Sequence, residues 1–171
     1  MTEERRIEMD RMRFTKNTAS SNLVLLAIVF DVFYFVSIYK SDVGSWYYTI
    51  LIGASILYNL VFLLAAFLCS EGVKNYKLSY SWLLILLGAV QAGRIFFLPM
   101  RAHEATVLIR DTAVTVMPTG QFIRVVVYLA ASAVCCIAAA LIGIRKGVTL
   151  NAYTALLEPV EQGSRTGEAH T

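Results

Sequence analysis

The sequence predicts an all-α integral membrane protein, a four-transmembrane-helix bundle with both termini cytoplasmic, and three observations predict it. Hydrophobic residues make up 57% of the 171 residues and charged residues only 16%, with a mean hydropathy of +0.62. Soluble domains carry roughly 45–50% apolar and about 25% charged residues. Four apolar stretches are each long enough to cross hydrocarbon about 30 Å thick, which takes about 20 residues at a rise of about 1.5 Å. The lysines and arginines, finally, fall mainly on one side of those stretches.

The spans are 23–39, 46–69, 78–98 and 121–144, about half of the chain, and no length remains for a soluble domain with its own core. The bundle 23–144 therefore lies between a tail, 1–22, and a second tail, 145–171. A cleavable signal peptide is a poor reading of the first span. Its preceding tail mixes Glu3, Glu4, Glu8 and Asp10 with basic residues, and the apolar run continues past Asp31 to Tyr39.

Orientation follows from the bases, because cytoplasmic flanks retain Lys and Arg. Arg5, Arg6, Arg11, Arg13, Lys16, Lys74, Lys77, Arg145, Lys146 and Arg165 share one side, against Lys40, Arg101, Arg110 and Arg124 on the other. Aromatic residues mark the interfaces: Tyr39, Trp46, Tyr47, Tyr48, Phe96 and Phe97 outside, Tyr76, Tyr80 and Trp82 inside. A net charge of +3 concentrated beside the membrane fits topology and contact with anionic lipid, not nucleic acid. Compact loops suit a bacterial-type inner membrane.

A charge inside a span costs at least about 2.5–3.5 kcal/mol at the centre, so each asks for a partner or a purpose. Asp31 is at the midpoint of the first span, and Asn59 is near the middle of the second. Arg94 stands six residues outward of the third span's centre, about 9 Å along the axis. Gln91, three residues before it, shares its face. The pattern predicts a buried polar cluster of Asp31, Asn59, Gln91 and Arg94, which either fixes helix register or lines a substrate or ion pathway. The competing arrangement has Arg94 snorkelling outward while Asp31 is protonated or meets another subunit. A carboxylate tied to an arginine would make a poor proton carrier.

Small residues let helices approach closely where lipid offers no hydrophobic contrast. Ala131, Cys135, Ala139 and Gly143 recur at four-residue spacing in the fourth span, and the third offers Gly88 with Ala92, and Ala89 with Gly93. Two tightly packed helices follow, paired within the chain or with another subunit.

No signature of catalysis, metal or cofactor emerges. Cys69, Cys135 and Cys136 form no Cys-x-x-Cys and read as small packing residues. His103 and His170 are isolated, which leaves no metal ligand set, and no Gly-rich phosphate loop, Gly-x-Ser-x-Gly or His-Glu-x-x-His occurs.

The outer loop, 99–120, is longer than two neighbouring helices need. Its β-prone stretches around Arg110 and Asp111 suggest a small β-hairpin, although no Gly or Asn occupies the turn. Thr106, Val107, Leu108 and Ile109 are candidate partner-facing residues there, alternatively a cap over the bundle. In the C-terminal tail Leu150, Tyr153 and Leu157 share one face of a short amphipathic helix stopped by Pro159, with a polar, unstructured end from Glu161 onward. Ile7, Met12 and Phe14 would place an interfacial helix in the N-terminal tail. The expected function is non-enzymatic: an accessory or regulatory subunit of a larger membrane complex such as a transporter. The alternative is a small homo-oligomeric carrier or channel built on the polar cluster. The partners would be the lipid bilayer and another membrane protein, or a second copy of the chain.

Overall fold

The computed structural model describes residues 3–38, 46–104, 106–109, 112–115 and 117–167. The chain runs α1 (Glu3–Phe14), α2 (Thr18–Ile38), α3 (Trp46–Lys74), α4 (Leu78–Glu104), β1 (Thr106–Ile109), β2 (Thr112–Thr115) and α5 (Thr119–Gly167). Four helices, α2 to α5, are long and apolar enough to cross a membrane, as in a multi-pass membrane protein. Around the bundle α2 packs on α3 and α5, and α4 packs on α3 and α5. The first connecting loop, 40–45, and the belt position Tyr39 lie outside the described residues, as do the side chains of Trp46, Tyr47 and Tyr48.

The inward face of every spanning helix repeats at alternating three- and four-residue steps. Buried positions are Ser20, Val24, Ala27, Asp31, Tyr34 and Ile38 on α2, and Asn59, Phe62, Ala66, Cys69 and Val73 on α3. On α4 they are Ser81, Leu84, Gly88 and Gln91, and on α5 Val125, Leu129, Ser132, Cys136, Ala139 and Gly143. A period of 3.5 keeps a narrow seam facing its neighbours if the helices wind around one another with a left-handed twist. The seam residues are mostly small or polar, while large apolar side chains such as Leu57, Leu64, Leu86 and Val134 stand exposed, as a lipid-facing surface requires.

Close approach is greatest in the half of the bundle nearest the two tails. A Cβ on Gly88 would meet Ile137 Cγ1 at 2.9 Å and the Ala133 carbonyl at 3.2 Å, and one on Gly143 would meet Ser81 Oγ at 2.5 Å and Val73 at 3.1 Å. Ser20 Oγ donates to the Ala139 carbonyl at 2.9 Å, tying α2 to α5, and the Ser21 and Ser70 hydroxyls lie 2.7 Å apart between α2 and α3. The α3–α4 corner closes with the Lys77 amide on the Gly72 carbonyl and the Tyr76 amide on the Val73 carbonyl. This is a Schellman stop that puts Tyr76 at φ 57°, where glycine is the usual residue.

Several expectations are corrected. Strict four-residue spacing turns a row of side chains by about 40° per step on a 3.6-residue helix, so it leaves one face within three steps. Ala139 and Gly143 are buried and Ala131 and Cys135 half-buried, Cys135 packing against the edge of the core, while Ser132 and Cys136 are the buried seam positions at that level. Of the α4 pair, Gly88 packs, Ala92 is half-buried, and nothing lies within 4 Å of a Cβ built on Gly93. Helix ends expected at 98 and at Pro159 also lie further on. Helix α4 passes Pro99 to reach Glu104, and α5 continues without a separate tail helix past position 159 to Gly167. A proline deletes one backbone hydrogen bond and bends a helix more readily than it stops one already held on both sides. Beyond Pro99, Ala102 is buried against the loop-side core, which holds the extra turn in place.

Candidate functional site

At mid-bundle each of the four helices contributes one polar side chain to its seam: Asp31 from α2, Asn59 from α3, Gln91 from α4 and Ser132 from α5. Arg94, one turn along α4, reaches into this layer. Its Nη1 donates to Asp31 Oδ1 at 3.2 Å and to Gln91 Oε1 at 3.1 Å, and its Nη2 donates to Ser55 Oγ at 3.2 Å and to Asn59 Oδ1 at 2.5 Å. Gln91 Nε2 donates to Asp31 Oδ1 at 2.5 Å and to Ser132 Oγ at 3.4 Å. Ser132 passes the chain on to the Ala27 carbonyl at 2.9 Å. The structure thus brings Asp31, Asn59, Gln91 and Arg94 into one network.

The guanidinium is also stacked. Its carbon lies 4.2 Å from the centre of the Tyr58 ring and 4.7 Å from that of Tyr34, within the range where the ring faces attract a cation. Together these contacts leave the Asp31 and Arg94 side chains only 1% and 11% exposed. Ser55, Tyr34, Tyr58 and Ser132 were not read as members of the cluster. Two of them carried a signal: Tyr34 follows Asp31 by three residues and Ser55 precedes Asn59 by four, the same-face spacing that joins Gln91 to Arg94.

The layer separates two apolar cores. On the tail side lie Val24, Ala27, Phe62, Ala66, Leu84 and Cys136 among others; on the loop side Tyr34, Ile38, Ala102, Met117, Val125 and Leu129. Among the residues whose side chains are described, the loop-side core draws on α2, α4 and α5. A cleft of about 440 Å³ opens there between α3 and α4, walled by Ala54, Tyr58, Val90, Gly93 and Phe97 with Arg94 at its base. A second cavity of about 70 Å³ lies between α2 and α3 beside Asp31 and Asn59. Asp31 Oδ2, Asn59 Nδ2 and Tyr58 Oη are buried and without a hydrogen-bond partner among the described residues.

The remaining candidates lie elsewhere. Cys69 and Cys136 are buried in the tail-side core and Cys135 is half-buried. His103 Nδ1 pairs with the Met117 carbonyl at 3.1 Å and its ring stacks on Phe122. Among the described residues no three His, Cys, Asp or Glu side chains converge. Strand β1 pairs antiparallel with β2, Thr106 opposite Thr115 and Ile109 opposite Thr112; Thr106 is exposed, and the side chains of Val107, Leu108 and Ile109 lie outside the described residues. The face of α5 proposed to meet a partner is covered from within. Tyr153 is buried and its hydroxyl donates to Asp10 of α1 at 2.7 Å, while Leu150 and Leu157 are half-buried. That contact joins positions 143 residues apart, beyond the reach of local pattern.

No family model, curated protein or solved structure matches this chain.

Proposed function

We propose that the chain is a non-enzymatic accessory subunit of a larger membrane assembly, such as a transporter, seated in a bacterial-type inner membrane with both termini cytoplasmic. The observation that carries this reading is that the charge of Arg94 is answered from within the bundle. Both terminal nitrogens of Arg94 end on side-chain oxygens from three helices, and packed apolar residues lie on the tail side. A charge so paired suits holding four helices in register better than passing a solute. Surfaces that remain for a partner are the paired outer strands and the α5 extension, where Val148 and Leu156 are 52% and 67% exposed. The basic end of the bundle, which gathers Lys16, Lys74 and Lys146, supports the cytoplasmic placement of the tails.

The second reading, a homo-oligomeric carrier or channel, is favoured by the 440 Å³ cleft that opens onto Arg94 and by Asp31 Oδ2 and Asn59 Nδ2, which lie beside the 70 Å³ cavity without a partner among the described residues. Charge exchange distinguishes the two. Under the first reading Asp31→Arg and Arg94→Asp each lower the amount of protein in the membrane and the double exchange restores it. Under the second, the single variants accumulate normally and solute flux disappears. Purification of the tagged chain in mild detergent is expected to recover a stoichiometric membrane companion; a homo-oligomer alone would defeat the accessory reading.

A further inference from the structure

At the tail end of the bundle the short α1–α2 link, the α3–α4 corner and α5 meet around a cavity of about 270 Å³. Arg13, Lys16 and Lys74 supply three cations to its wall, which Phe14, Asn75 and Tyr76 share. The pieces are fixed rather than draped. The Asn17 amide donates to the Lys74 carbonyl at 2.9 Å, which pins the link to the end of α3, and Lys146 Nζ reaches Asn17 Oδ1 at 3.4 Å from α5. The Schellman stop holds Tyr76 in its left-handed conformation at the same corner.

Among the described residues only one of the three cations, Lys74, is ion-paired. Glu71 pairs with Lys74 at 3.0 Å in a solvent-facing contact of the kind that contributes little, and an ammonium has three donors. Arg13 and Lys16 are exposed. Asn17 is 1% exposed, yet its Nδ2 has no partner among the described residues, an unused donor next to Lys16. Beside these polar groups Phe14 lines the cavity while 87% exposed, an apolar ring that water does not favour.

Depth decides what such a pocket meets. Helices α2 and α4 begin at Thr18 and Leu78, so the cavity sits where the apolar spans end, at the level of lipid headgroups. Basic pockets between spanning helices at this level bind acidic headgroups. We propose that Arg13, Lys16 and Lys74 form a binding site for the phosphate of an anionic phospholipid, with Phe14 resting on the lipid's apolar part. The site holds a lipid in the ring around the bundle and is independent of the polar layer at mid-span.

The test is native mass spectrometry of the full chain in detergent, stripped of lipid and then given equimolar phosphatidylglycerol and phosphatidylcholine. The expected result is retention of phosphatidylglycerol with about tenfold preference, lost in the triple variant Arg13→Gln/Lys16→Gln/Lys74→Gln and kept in Arg124→Gln at the opposite end. Phe14→Ser leaves every charge in place and is expected to weaken retention as well. Unchanged preference in the triple variant overturns the site. So does an equal loss in Arg124→Gln, which would mean charge alone and not this pocket. Sodium phosphate at matched ionic strength tests the alternative source of the same chemistry: displacement of the lipid by free phosphate, together with indifference to Phe14→Ser, overturns the lipid assignment.

Discussion

The two halves of the bundle use the same seam for opposite ends. Toward the tails, backbones approach at Gly88 and Gly143, hydroxyls bond across helices, and apolar packing includes residues of all four spanning helices. Toward the loops a 440 Å³ cleft opens between α3 and α4 over Arg94. The difference teaches that a buried charge can be held firmly in a bundle that is closed on only one side of it. The tail half supplies close packing, and the polar layer ties α3 to α4 through Arg94 at the edge of the cleft.

If that is the division of labour, removing one charge has the largest effect. Arg94→Leu leaves Asp31 buried without its counter-ion and strips Asn59 and Ser55 of their donor. The expected loss is about 3–5 kcal/mol, read from unfolding in mixed detergent. The double variant Asp31→Leu/Arg94→Leu is expected to recover most of it, because apolar replacement of a buried pair is often neutral. A double variant as unstable as the single one would show that the layer does more than cancel its own charges.

Next in size is the contrast between two glycines on opposite sides of the layer. Gly143→Leu forces a side chain against Ser81 and Val73 and is expected to cost about 1–3 kcal/mol. Gly93→Leu enters open space at the cleft and should cost little. Equal losses would mean that the cleft closes around its own walls.

How much of this was legible depends on which signal a membrane chain carries. The four spans follow from hydropathy alone, since length against hydrocarbon thickness fixes them. Asp31, Arg94, Gln91 and Asn59 stood out because polar side chains are rare there. The seam did not stand out: lipid and core are both apolar, so the 3.5 repeat is written in Ser20, Ala27, Ser132, Cys136 and Ala139, not in large hydrophobic residues. Reading Ala131 and Cys135 as part of a strict four-residue row put the face about one residue off. Pro159 read as a stop, and position 98 as the end of the third span, because sequence shows a proline's lost hydrogen bond or the end of an apolar run and not the packing that carries a helix past it. Tyr153 looked available because its partner, Asp10, lies at the other end of the chain.

The smallest expected effect sharpens the comparison most finely. Ser20 and Ser132 both donate to a carbonyl across the α2–α5 contact, each at 2.9 Å, the first in the tail half and the second in the polar layer. Helical carbonyls already accept a backbone hydrogen bond, so truncating either serine removes an extra bond and strands no acceptor; such bonds in membranes average about 0.6 kcal/mol and reach about 1.7. Ser20→Ala should fall near the average. Ser132→Ala should lie toward the upper value, because it also deprives Gln91 Nε2 of an acceptor and loosens the amide that orients Asp31. The same unfolding measurement on both variants decides the point. Equal losses would mean that the polar layer is a set of independent contacts, whereas a larger loss at Ser132 marks it as one coupled unit extending from Ala27 to Arg94.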